Sequence, residues 1–442
     1  MLHPRAVVVH DVLDPHDLLA DEWEQLSLSG YRVHEVEPVV RSSGVAGDPA
    51  EMLRQLDALS TAQRDTAWPY DEPSDAETIL VALDEVRPLP VHDDELPDRM
   101  RGAWLGRAVG NTLGKPVEGL TRLQVQTYLR AADSWPLGGY LPLLEPLPPG
   151  VPRLHPSAPT ATLGSFTDLS RDDDIDWTIL NLHLLERYGR DFTTDDVLRE
   201  WLDRMPFTQT YTAERAAYRN AVGGMRPPTT ATHRNPYREW IGALIRADAF
   251  GYVCPGDPAA AARLAFTDAR LSHVANGLYG EMWAAALVAA AFATRSVDDT
   301  MSTALGVVPP GSRLAEVLRW VTALRREGAD ADAALDRIDA ELGAYPWVHT
   351  LNNAAVIAVA LLWGETFLGA VGIAVAAGRD TDSTAATVGS VHGAVYGNGA
   401  IPAHLVPASP VRVRSAVRDF DRVTVDELVE RTLRLVVRHL PA

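Results

Sequence analysis

Residues 378–397 read GRDTDSTAATVGSVHGAVYG. Two aspartates, Asp380 and Asp382, and a hydroxyl, Ser383, open a run of glycine, alanine, serine and threonine relieved only by valine, His392 and Tyr396. Such a run predicts a helix able to lie very close to its neighbours. Acids and hydroxyls at its start fit helix capping, because they satisfy free amide donors and complement the dipole. Capping alone does not account for their setting. The preceding AVGIAVAAG (370–378) is apolar, so Asp380 and Asp382 are expected to be buried, and buried paired carboxylates need a counter-charge.

A second acidic run, SRDDDIDWT (170–178), enters the amphipathic segment ILNLHLLERYG. Asp172, Asp173 and Asp174 in succession exceed what a cap uses, and their repulsion calls for solvent, arginine or a cation. Hard divalent cations take oxygen ligands, and Mg²⁺ prefers a few carboxylates with water completing the octahedron. Four or five aspartates plus Ser383, drawn from two distant helix starts, would suit two neighbouring ions. Zinc is disfavoured, since no cysteine/histidine spacing of the usual kind occurs.

Bulk composition narrows the class. The chain has 442 residues, 46% of them apolar, which is ample for a large core. A formal charge of −19 argues against an extensive nucleic-acid face, though a few local arginines can still hold a small anion. One cysteine, Cys254, cannot form a disulfide within the chain. Apolar stretches such as Met282–Ala293 and Ala354–Trp363 fall short of the ~20 residues that span a bilayer, and the N-terminus does not read as a signal peptide. A cytoplasmic protein with no membrane association is expected; the oligomeric state is left open.

Helical periodicity dominates from Pro97 onward, and the fold class is read as all-α: a compact orthogonal multi-helix domain over 97–442. Residues 1–96 form an N-terminal extension of mixed structure and unassigned function, with helices opening at Asp14-Pro15 and Asp48-Pro49 and a strand over Tyr31–Val40. Asn235-Pro236 is expected to open a helix with Tyr237, Trp240, Ile241, Leu244 and Ile245 on one stripe, and Asp257-Pro258 another. Leu278–Ala293 and Ala354–Ala377 are apolar nearly all round and should be central helices. The Pro/Gly/Leu-rich stretch 134–170 is too long for a simple connection and is read as a lid or specificity insertion.

Three segments taken in order, GAWLG (102–106) with GNTLGKPVEG (110–119), DDDIDWT (172–178) and GRDTDSTAATVGSVHGAVYG, resemble the ADP-ribosylglycohydrolase family, all-helical dimetal enzymes related to dinitrogenase-reductase-activating glycohydrolase. The resemblance spans most of 98–398 and identifies a branch with a DDD variant of the middle motif. It implies metal ligands at Asp172, Asp173, Asp174, Asp380, Asp382 and Ser383, and a catalytic glutamate, Glu118, acting as general base or proton shuttle. Two Mg²⁺ ions, or Mn²⁺, would grip the ribose 2″ and 3″ hydroxyls while the C1″ glycosidic bond of an ADP-ribosyl conjugate is hydrolysed. Asp172 stands where the family usually has a hydroxyl, Asn111 where it has an aspartate, Ile175 where it has a threonine and Arg379 where it has a glycine. Two alternatives stay open: hydrolysis of a simpler ribosyl conjugate, such as a nucleoside or ribosyl phosphate, and a non-catalytic ligand-binding or structural member of the fold.

Four further residues are candidates for substrate contact. Lys115, the only lysine of the chain, would pair with Glu118 or meet a ligand phosphate; survival of one lysine codon in an arginine-favouring composition is the alternative. Arg379 would meet phosphate or neutralise the acids beside it. Ser272-His273 resembles a Ser/Thr-His pair common near the family's site, against the ordinary reading of a hydrogen-bonded structural histidine, and Asn352 is a candidate ligand contact against the ordinary reading of a helix cap. Asp195 and Asp196, in FTTDDVLREW, are read as a helix start and nothing more.

Overall fold

The computed structural model describes residues 15–33, 49–60 and 64–437. Its organising contact is an antiparallel pair of helices, Leu96–Gly114 and Thr381–Tyr396. Glycine recurs every fourth residue on the first, at 102, 106, 110 and 114, and these meet Gly393, Gly389, Ala385 and Thr381, also four apart, on the second. Residues four apart share one helix face, so two bare stripes face each other and the backbones touch. A Cβ on Gly106 would lie 2.2 Å from the carbonyl oxygen of Gly389, and one on Gly389 would lie 2.2 Å from that of Gly106. The small-residue pattern therefore sets the interhelical distance.

Where the first helix ends, a single 3₁₀ turn, Lys115–Val117, leads into Glu118. The Gly119 amide donates to the Arg379 carbonyl (2.9 Å) and the Arg379 amide to that of Leu120 (2.8 Å), in a short antiparallel bridge of Thr121 with Gly378. The end of the first motif is thus stitched to the start of the last. Behind the pair lie Ala275–Ala291, buried throughout, and Thr350–Trp363, buried except at its last residue. Among the described residues the only sheet is two residues per strand, Arg412–Val413 against Val423–Thr424. The fold is all-α. No described helix is long and apolar enough to cross a membrane.

The structure departs from the sequence reading in two helices. The apolar run 354–377 is two helices, because the chain turns at Gly364 and Thr366 caps a new helix, Phe367–Ala376, by accepting from the Gly369 amide. The stripe beginning at Asn235-Pro236 is fully buried as expected but is not a helix: turns run to a 3₁₀ segment at Leu244–Arg246. Its amides find partners elsewhere, the Ile241 amide donating to the Val348 carbonyl at 2.9 Å. Periodic burial was satisfied there without helical hydrogen bonding. Asp257 caps Pro258–Ala269 as read, and Thr193 with Asp196 forms a capping box on Thr194–Arg204, a plain helix start. Helices begin at Pro15 and Pro49, while Asp14, Asp48 and the strand read over Tyr31–Val40 beyond Val33 lie outside the described residues.

The N-terminal helix Pro15–Leu28 and the residue after it are bonded to the turn 237–239, and the Leu28 carbonyl accepts from Arg313 at 2.8 Å. Tyr237 Oη donates to Asp21, Arg238 pairs with Glu22 at 2.8 Å, and the Gln25 amide and Ser29 hydroxyl both donate to Glu239. Leu18 and Leu53 pack with Tyr237 and Trp240 in a cluster separate from the main core.

Candidate metal centre and pocket

Two helix starts and the turn after a third converge. Asp172 caps Asp173–Tyr188 by accepting from the Asp174 amide at 3.1 Å. Asp380 and Asp382 stand at the head of Thr381–Tyr396, and Glu118 follows the 3₁₀ turn at the end of the glycine helix. Two trios of carboxylates result, Glu118–Asp380–Asp382 and Asp172–Asp174–Asp382, each with oxygen atoms within 4.8 Å of one another and Asp382 common to both. The distant acidic runs do meet.

The cluster is under strong mutual repulsion. Burial, reinforced by the charge of Asp382, pushes the carboxyls of Glu118, Asp174 and Asp380 well above their ordinary range. Asp173 is raised as well, chiefly by burial, with Arg171 and Lys115 opposing. Asp174 Oδ2 accepts from Asn111 Nδ2 (2.9 Å) and Ser383 Oγ (3.3 Å), whereas Asp174 Oδ1 and Asp382 Oδ1 are buried with no hydrogen-bond partner. Buried carboxylate oxygens left without a donor are a cost that a hard cation removes. The residues could therefore hold a hard metal ion bound through oxygen.

Lys115 is 5% exposed and lies among these acids. Its ammonium contacts Asp172 Oδ2 and stands 3.8 Å from Asp382 Oδ2, so the pairing with Glu118 read from sequence is replaced by these two. Burial alone would lower its pKa, but the surrounding carboxylates, Asp382 first, outweigh that and hold it above the usual lysine value. Glu118 instead faces His155, 3.4 Å from its Nε2. Burial pushes the imidazole down to about 4, so it is neutral near pH 7 and does not neutralise the glutamate.

The acids form the floor of a cavity of about 770 Å³. Asp172, Asp173, Asp380, Asp382, Ser383, Glu118 and Lys115 all line it. One wall comes from the 134–170 stretch, which contributes Arg153, His155 and Phe166 among others. Opposite stand Tyr211, Trp240 and Trp347, three aromatics from separate segments, and Glu214.

The other candidates are placed differently. Arg379 has a left-handed backbone (φ 68°), and its guanidinium turns away from the cavity to Asp339 and the Ala377 carbonyl; it meets neither the acids beside it in sequence nor the pocket. The backbone bridge to residues 119–120 dictates that direction. His273 is buried behind the wall, sharing a hydrogen bond with Ser272 (2.8 Å), its Nε2 lying 4.0 Å from Glu214. Asn352 donates to the Pro346 carbonyl (2.9 Å), and Asn353 to that of Trp347 (2.8 Å). Both asparagines hold the turn that carries Trp347 into the pocket, without lining it themselves. Arg171 neutralises Asp176, which also accepts from Ser415 Oγ and the Ala416 amide.

His155, Arg153, Tyr211, Glu214 and Trp347 escaped the sequence reading. For the first two the only signal was the excess length of 134–170; the others carry no local signature.

The family model for ADP-ribosylglycohydrolase matches residues 92–438, and the chain belongs to that family. No curated protein matches the chain. A solved structure described as an ADP-ribosylglycohydrolase-related protein complex is similar at 22% identity, covering 78% of this chain and 100% of that one with a TM-score of 0.46. The family is one of glycohydrolases, so the chain is assigned as a hydrolase.

Proposed function

We propose that the protein hydrolyses the C1″ glycosidic bond of an ADP-ribosyl conjugate with a divalent ion, Mg²⁺ or Mn²⁺, held by Glu118, Asp380, Asp382 and the neighbouring acids Asp172, Asp173 and Asp174 with Ser383. The observation that carries this reading is the meeting of the distant acidic runs at the floor of one cavity, where the buried Asp174 Oδ1 and Asp382 Oδ1 have no hydrogen-bond donor. When bound, the ion supplies positive charge that fixes ribose hydroxyls against an oxocarbenium-like transition state. Glu118 is the proton-handling group. Burial, reinforced by the charge of Asp382, holds its carboxyl well above the ordinary glutamate range, and His155 stands 3.4 Å from it.

An ADP-ribosyl group is favoured over a bare nucleoside by the cavity. At about 770 Å³ it exceeds what one ribosyl group fills, and it offers aromatic faces for a base and, in Arg153, a cation with no ion pair among the described residues. The reading places the protein as a soluble catalyst of the cytoplasm, with the ribosylated substrate as its partner. The deciding experiment is a panel of ADP-ribosyl-arginine, ADP-ribosyl-serine, O-acetyl-ADP-ribose, ADP-ribosylated DNA and plain ribonucleosides, each with Mg²⁺ and Mn²⁺. Release of ADP-ribose from one member, lost in Asp382→Ala, is expected; turnover of ribonucleosides alone would replace the reading with the simpler ribosyl hydrolase.

A further inference from the structure

The family resemblance implies two ions, and the two carboxylate trios offer two places, but these are not alike. In the Glu118–Asp380–Asp382 trio, Glu118 and Asp380 pair with no lysine or arginine among the described residues, and Lys115 reaches the trio only at Asp382, 3.8 Å away. The Asp172–Asp174–Asp382 trio already contains a cation, since the Lys115 ammonium contacts Asp172 and lies 3.8 Å from Asp382. This is the only lysine in a chain that takes every other cationic side chain from arginine or histidine. The choice has a physical reason. An ammonium is a compact point charge with three donors, close to a bare ion in shape, whereas a guanidinium is a planar fork that pairs with carboxylates bidentately.

We infer that Lys115 is a built-in cation occupying the second metal position, and that the chain binds a single divalent ion, at Glu118–Asp380–Asp382. The ammonium is tethered by its own side chain and almost fully buried, so a second dication would have to be accommodated beside a fixed positive charge. Asp172, which stands where the family usually has a hydroxyl, supplies the charge that the ammonium needs. Asp172 and Lys115 then form one unit, an acid and a base in direct contact.

The inference rests on the metal-dependent reading above, and one titration separates the failure of either. The metal-free full chain is titrated with Mn²⁺, with bound ion counted by equilibrium dialysis and the spin spectrum recorded. Wild type is expected to bind one Mn²⁺ with the signal of an isolated ion. Lys115→Ala, and Lys115→Met, which keeps the apolar stem should the alanine variant fail to fold, are expected to bind two with an exchange-coupled signal. Two coupled ions in wild type, or one ion in both variants, would overturn the role of Lys115 while leaving metal dependence intact. No Mn²⁺ bound to wild type would overturn the metal reading itself.

Discussion

The glycine stripes make a quantitative demand on the site. In Gly106→Ala the new Cβ would start 2.2 Å from the Gly389 carbonyl oxygen, against 3.4 Å for an ordinary contact, so the helices must part locally by 3.4 − 2.2 = 1.2 Å. The obstructing atom is backbone, so no rotamer change relieves it. Overpacking of this kind costs about 1–3 kcal/mol. With an unfolding entropy of about 2.1 cal/mol/K per residue over the family domain, that cost lowers Tm by roughly 1–4 °C. The functional effect should be larger, because Lys115 and Glu118 hang from one helix and Asp380 and Asp382 from the other. A shift on the order of 1 Å between reacting groups costs about 10²-fold in rate. Melting curves, Mn²⁺ affinity and turnover would be compared with those of Gly399→Ala, where a Cβ meets nothing within 4 Å. If Gly106→Ala melts, binds metal and turns over like the Gly399 control, the close approach is not what sets the geometry of the centre.

Glu118→Gln alters a proposed metal ligand as well as the proton-handling carboxylate and should lower kcat by about 10²–10⁴-fold, the usual contribution of a positioned acid or base, with Mn²⁺ affinity measured beside it; equal kcat removes Glu118 from the mechanism. Millimolar Mg²⁺ or Mn²⁺ should raise Tm, by an amount corresponding to about 2.7 kcal/mol at a hundred times Kd, and Asp382→Ala should abolish the rise. Glu214, buried beside Arg246, is raised to about 7, chiefly by burial with Arg246 opposing. A carboxyl raised in the folded state favours folding fully below its unfolded value and loses that contribution as pH climbs through the folded one. Between about pH 4.5 and 7 this group should therefore withdraw roughly 3 kcal/mol, and Glu214→Gln should flatten the fall in Tm over that window.

What the sequence disclosed, and what it hid, follows from how each feature is encoded. Helix class, the caps at Asp172 and Asp257 and the small-residue stripe are local patterns present as read, while Asp380 heads its helix without a side-chain cap. The convergence of Asp172–Asp174 with Asp380 and Asp382 was legible only because buried acids require a counter-charge, a constraint that links distant segments. Lys115 was conspicuous by its uniqueness, yet the choice between Glu118 three residues on and Asp172 fifty-seven residues on depends on the 3₁₀ turn at 115–117, which no pattern announced. Arg379 misled because adjacency along the chain says nothing of side-chain direction where the backbone is left-handed. The pocket wall of Tyr211, Trp240 and Trp347 belongs to turns, whose aromatic residues carry no periodicity to distinguish pocket from core.

The N-terminal helix has a consequence for that wall. Trp240 lines the cavity, and the three residues before it are the ones held from outside: Tyr237 by Asp21, Arg238 by Glu22, Glu239 by Gln25 and Ser29. Glu239 is also gripped by Arg313 and Asn276, and burial notwithstanding, Arg313 leads the groups that hold its carboxyl far below the usual range. That residue is therefore anchored from two sides, while the Arg238–Glu22 pair is the tie whose loss leaves a buried guanidinium without its carboxylate. Glu22→Ala removes one partner of a buried ion pair, a change that costs about 3–5 kcal/mol. The Asn235 carbonyl still accepts from Arg238 at 2.9 Å and softens the loss. The metal ligands are carried by other segments, the heads of the helices 173–188 and 381–396 and the turn 115–117, so Mn²⁺ affinity should be unchanged while affinity for an ADP-ribose probe falls with the displaced tryptophan. Equal loss of both affinities would mean that the extension supports the whole domain, and no loss of either would mean that it does not brace the wall at all.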